Sequence, residues 1–229
     1  MIRAVVGAEA WKLVTLRAFP VAFGVGVLVP LALLLINRAA GGEGVLAFAG
    51  LPGGAVGAVV LGVVVISGEY GNGQITTTLA AVPRRWVLLL GKAFVVVVAV
   101  GVLAAVAVGV VVGVEGSWGA DGVLGRALGT VVYWVLTALM AFAVAVAARS
   151  GLVPVVVFAV NGTVVSASYL LLRVTPLAMY LPDVAGVRMF AGADFHGEAL
   201  PPVTGGLVMA GWAAAAVVAA GVVFARRDA

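Results

Sequence analysis

The stretch Ser67–Lys92, SGEYGNGQITTTLAAVPRRWVLLLGK, holds the residues of this chain best placed to do something specific. Gly71-Asn72-Gly73 supplies a sharp turn with positive φ. Gln74 to Val82 then predicts a helix of about two turns, carrying Gln74, Thr77 and Leu79 and halted before Pro83. Arg84 and Arg85 follow, and Trp86 to Leu90 lead into an apolar stretch at Lys92. The pattern reads as exit from a membrane, short helix, break and re-entry. An ordinary cation-rich loop with a tryptophan anchor satisfies the same residues. Glu69 sits where the loop begins, and a loop that folds back on itself brings it toward Arg84 or Arg85 as an ion pair. The alternative for Glu69 is a simple interfacial carboxylate. A second polar group, Asn161 with Ser166 and Ser168 one to two turns on, lies inside an apolar stretch. An amide in lipid must find a partner, so this face points to another helix or to a cavity.

Much chemistry is excluded. There is no GxxxxGK[ST] phosphate loop, and Gly91-Lys92-Ala93 lacks both the upstream glycine and the metal-binding hydroxyl. The single histidine, His196, reads as a solvated loop residue, and with no cysteine neither a metal centre nor a disulfide framework is expected. Proton-coupled transport and intramembrane proteolysis need ionisable groups inside the spans, and the apolar intervals contain none. The chain is therefore not expected to be an enzyme.

The elements that must position these residues follow from the gaps between charges. The 229 residues are 64% hydrophobic and 10% charged, far below the roughly 25% charged residues of a soluble domain. Uncharged runs cover 18–37, 44–68, 93–114, 127–148, 150–172 and 199–225, each long enough for a helix to cross a hydrocarbon core of about 30 Å. The fold class expected is all-α and polytopic. One domain over 1–229 has six spans, near 18–37, 45–67, 93–114, 127–148, 151–172 and 203–225. An inner loop, 68–92, carries the short helix, and an outer loop covers 173–202. The first apolar run exceeds the length of a signal-peptide core and follows 17 residues, so it reads as a span. With the N-terminus inside, inner segments hold nine Lys and Arg and outer segments four. This agrees with the positive-inside bias, so both termini are assigned to the cytoplasm. The cations read as loop anchors, and nucleic acid is not an expected partner. GxxxG spacings at Gly50/Gly54, Gly53/Gly57, Gly109/Gly113 and Gly125/Gly129 are about as many as the 32 glycines give by chance, and locate no dimer seam. The excess of arginine over lysine, 11 to 2, with abundant Ala, Val and Gly, fits a GC-rich bacterial genome.

The stretch Gly68–Lys92 resembles the first cytoplasmic loop of bacterial ABC-2 type permeases, the membrane subunits of ABC exporters. The residues that carry the resemblance are Glu69, the short Ile-Thr-Thr-Leu helix, Pro83, Arg84, Arg85 and the Gly91-Lys92 pair. Glu9-Ala10-Trp11-Lys12-Leu13 with Arg17 is similar to that family's start, and Tyr180-Leu181-Pro182 with Gly186 to the approach to its last span. The resemblance implies that Gln74–Val82 is a coupling helix seated in a separate ATPase subunit. ATP and magnesium would be bound by that partner and no cofactor by this chain. It also implies a second permease copy, a homo- or heterodimer, in the bacterial cell membrane. The coupling residues would be Glu69, Gln74, Thr77, Leu79, Pro83, Arg84 and Arg85. Val-, Ala-, Leu- and Phe-rich spans fit a hydrophobic or amphipathic substrate, such as an antibiotic, lipid or peptide, and a role in drug resistance. The alternative is a non-transporting membrane scaffold or immunity protein that sequesters a toxin or peptide.

Overall fold

The computed structural model describes residues 2–42, 47–71, 73–81, 84–163, 167–191 and 200–226. Every regular element among them is helical: α1 (Ile2–Thr15), α2 (Ala18–Ala39), α3 (Ala47–Gly71), α4 (Gln74–Ala81), α5 (Arg85–Glu115), α6 (Val123–Ala148), α7 (Leu152–Thr163), α8 (Ala167–Leu172), a 3₁₀ turn over Pro176–Tyr180, α9 (Pro182–Val187) and α10 (Pro202–Arg226).

Five of these, α2, α3, α5, α6 and α10, are long and apolar enough to cross a membrane. The fold is thus that of a multi-pass helical membrane protein. Its exterior agrees with that reading. Val21, Leu28, Leu35 and Ile36 of α2, and Val203, Leu207 and Val218 of α10, all stand exposed. Surfaces of this size and apolarity belong in lipid.

Of the expected span at 151–172, residues 164–166 lie outside the described ones, and α7 and α8 are the described helical parts on either side. α7 has 12 described residues. α8 has six. Asn161 lies in α7, and its Oδ1 accepts a hydrogen bond from the backbone N–H of Ala167 at 3.2 Å.

α3 lies at the centre, packed on α2, α5, α6 and α7. Small residues make its seam with α2. A Cβ on Gly54 would come within 2.7 Å of the Gly26 carbonyl oxygen, and one on Gly57 within 2.4 Å of that of Ala22. The Gly50/Gly54 spacing therefore lines a contact within the chain. α9 is wedged between α6 and α10 by the same device: Gly129 faces the Met189 carbonyl, and Gly205 faces that of Ala185. Residues Val184 to Val187 are all buried. Part of the segment expected as an outer loop is thus packed into the bundle. At this α9 end, Arg38 donates to the Val114 and Glu115 carbonyls at 3.2 and 2.9 Å, and the Glu115 carboxylate accepts from Ala47 N–H at 2.9 Å. These bonds join the ends of α2, α3 and α5.

Candidate functional site

The opposite end of the bundle, where α1 and α4 lie, carries a buried ionic cluster built from three elements. Hydropathy placed the start of the third apolar helix after Lys92. The helix α5 instead begins at Arg85, so Lys92 stands two turns inside it and is fully buried. Its ammonium has three N–H donors, and three acceptors surround it: Glu9 Oε2 at 2.6 Å, Glu69 Oε1 at 2.7 Å and the Val65 carbonyl at 3.1 Å. Every proton is matched, the condition under which a buried ammonium is tolerable. Lys12, about one-third exposed, also donates to Glu69 Oε1. Two carboxylates and two ammonium groups leave the cluster neutral. A planar guanidinium could not present three N–H groups in this arrangement. The only two lysines of the chain are both here.

Helix α1 enters this cluster with an inverted polarity. Val5, Glu9 and Leu13, spaced by four, form its buried stripe, whereas Ile2, Trp11 and Val14 are exposed. Its charges share no single water-facing side because Glu9 and Lys12 turn toward the bundle. Gly91 makes the approach possible: a Cβ there would meet Val5 Cγ1 at 2.8 Å. In the Gly91-Lys92 pair, then, the glycine admits α1 and the lysine holds it through Glu9.

Glu69 is 1% exposed, and its partners are Lys12 and Lys92 rather than the expected Arg84 or Arg85. Its Oε2 has no hydrogen-bond partner among the described residues. The reason is helix length. α3 runs on to Gly71, so Glu69 turns inward within a helix instead of opening a loop. Arg84 is exposed. Arg85 donates to the Phe224 and Ala225 carbonyls at 2.9 and 3.4 Å, in the last turn of α10, where a cation also meets the negative end of the helix dipole. A recess of about 50 Å³ beside the cluster is lined by Glu9, Lys12, Glu69 and Gln74, so the first residue of α4 shares a wall with it.

α4 itself follows a left-handed Gly73 with φ 65°. The hydroxyls of Thr76 and Thr78 turn back onto the Gly73 and Gln74 carbonyls at 2.9 and 3.0 Å. Ile75 is buried and anchors the helix, whereas Gln74 and Thr77 are exposed. Leu79 lies on the same helix. Pro83 falls outside the described residues, as do Ser166 and His196.

Asn161 belongs to a separate site toward the α9 end. Its Nδ2 donates to Asp183 Oδ2 at 2.9 Å, and the two line a recess of about 60 Å³ with Tyr133, Thr137 and Phe158. Ser168, in α8, is buried and is not part of this wall. The sequence offered little sign of either cluster, since Glu9, Lys12, Glu69 and Lys92 lie on three segments and Asp183 stood in an expected loop. A faint signal was present in the i, i+3 spacing of Glu9 and Lys12, which puts opposite charges on one helix face.

These features define a class, a multi-pass helical membrane protein with a buried ionic joint at one end. No family model, curated protein or solved structure matches the chain.

Proposed function

We propose that this chain is the permease subunit of an ATP-driven exporter of the ABC-2 type, and that α4 is the element through which a separate ATPase moves it. The observation that carries the reading is the setting of α4: a short, largely exposed helix whose first residue borders a rigid ionic joint between α1, α3 and α5. A force on α4 would reach α1, α3 and α5 together, because charges held in a buried cluster separate only at high cost. The resemblance of Gly68–Lys92 to the first loop of that family supports the same conclusion. In this reading α7 and α8 belong to one sixth crossing, and both termini and α4 face the cytoplasm, a placement that the nine-to-four distribution of Lys and Arg supports. Two copies, alike or paired with a related chain, would work with two ATPases, which bind the ATP and magnesium. The cargo is hydrophobic or amphipathic.

The test is Thr77→Pro. Proline removes a backbone donor and clashes within the helix, a cost of about 3 kcal/mol or more, and the site lies outside the five long helices. The chain should insert and express as before while losing co-purification with its ATPase and substrate-stimulated hydrolysis. Normal association and hydrolysis in a well-expressed Thr77→Pro protein would refute the role of α4.

A further inference from the structure

We infer that the cleft between α1, α2 and α5 is a binding site for a phospholipid with an anionic headgroup, one acyl chain lying in the cleft and the phosphate on Arg17. The inference needs only the membrane fold and stands apart from the transport reading. Three observations carry it. First, the cleft is a slot one leaflet long. α1 supplies Val6 and Ala10, α2 supplies Phe19 and Phe23, and α5 forms the back wall from Phe94 to Val102. At one end Glu9 of α1 holds Lys92 of α5. At the other α2 meets α5, where a Cβ on Gly26 would stand 2.9 Å from Leu103 Cδ1. Lys92 and Leu103 lie about 17 Å apart along α5, close to the roughly 15 Å of hydrocarbon in a single leaflet. Second, the cleft holds about 250 Å³ and its lining is wholly apolar. Third, a cation stands at its α1 end. Arg17 falls between Val14 and Phe19, which both line the cleft. It is exposed, and its guanidinium has no hydrogen-bond or ion-pair partner among the described residues. Trp11, 75% exposed on the same helix, is of the type that lies at headgroup level.

A single acyl chain is the occupant these dimensions fit. A helix from a second copy is at least about 10 Å across and is too thick for a slot of 250 Å³. A polar molecule would find no donor or acceptor on the walls. A chain lying along α5 between Phe94 and Val102 brings its headgroup to the α1 end, beside Arg17, whose planar N–H groups match a phosphate. In a zwitterionic lipid the headgroup carries a cation of its own, which offsets that attraction. Net charge therefore decides between lipids, and one such arginine near the membrane surface favours the anionic one about fivefold.

The experiment uses the full chain in vesicles of equal phosphatidylglycerol and phosphatidylcholine, without ATP or ATPase. A trace of either lipid carries the same diazirine-bearing acyl chain, and mass spectrometry locates the crosslinks after illumination. Crosslinks on the exposed Leu207 and Val218 of α10 report lipids that only surround the protein, and the two probes should label them alike. Between Phe94 and Val102 the phosphatidylglycerol probe should label about fivefold more than the phosphatidylcholine probe. Arg17→Gln should bring that ratio down to the α10 value, and Arg17→Lys, which keeps the charge, should preserve it. Ala99→Leu fills the cleft from its back wall and should remove labelling of Phe19 and Phe23 by both probes while that of α10 stays. Equal labelling by the two probes in the cleft, a preference that survives Arg17→Gln, or labelling of Phe19 and Phe23 that survives Ala99→Leu overturns the inference.

Discussion

At the scale of single residues the decisive group is Lys92. Replacing it with methionine keeps the stem but strands Glu9 in a buried setting and leaves Glu69 only Lys12. Breaking a buried pair in this way costs about 3–5 kcal/mol, so Lys92→Met should lower the thermal unfolding midpoint in detergent sharply. Lys92→Arg should recover little, because the guanidinium cannot satisfy three converging acceptors. A double-mutant cycle on stability with Glu69→Gln and Lys92→Met should return a coupling of about 1–3 kcal/mol. The same cycle with Arg84→Gln should be additive within about 0.5 kcal/mol. Coupling to Arg84 in place of Lys92 would contradict the geometry. The cluster was not legible beforehand because hydropathy reads every charge as the end of a span. Lys92 is a charge inside a helix, made tolerable by acceptors on two other segments 83 and 23 residues away.

At the scale of elements, α1 depends on a single missing side chain. Gly91→Leu would drive a branched side chain into Val5, where even a Cβ stands at 2.8 Å. Overpacking of this kind costs about 1–3 kcal/mol, and the cheapest relief is for α1 to lift. Limited trypsin digestion should then cut after Lys12 and Arg17 faster than in the wild type, while α3 and α5 stay protected. Unchanged cleavage would show that α1 is held without this contact. The short helix after the glycine turn was readable from its sequence: Gln74–Val82 was expected and Gln74–Ala81 is observed, because turn residues and a following proline punctuate it locally. The bond from Asn161 to Asp183 was not readable, since it joins residues 22 apart that were expected in a span and in a loop.

For the whole molecule, length and apolarity were enough to give an all-helical membrane fold, because a bilayer imposes one dominant rule on any crossing segment. They could not reveal that Pro182–Val187 is wedged between α6 and α10, which depends on Gly129 and Gly205 standing where two backbones approach. Orientation remains testable at one position. The chain has no cysteine, so a Gln74→Cys protein carries a single thiol on the exposed α4. It should resist an impermeant maleimide in intact cells and react once the membrane is opened. Reaction in intact cells would invert the topology.

The confinement of both lysines to one buried joint makes primary-amine chemistry a gauge of conformation. Away from the chain terminus, an acylating reagent finds Lys12 partly open and Lys92 closed. Acylation of Lys92 therefore counts the fraction of molecules in which α1 has come away from α3 and α5. Followed by mass spectrometry during ATP turnover, the yield at that one residue should stay near zero if the joint moves as a rigid body. It should rise with each cycle if the joint opens. The protein thus carries its own footprinting reporter, with no label added and no residue changed.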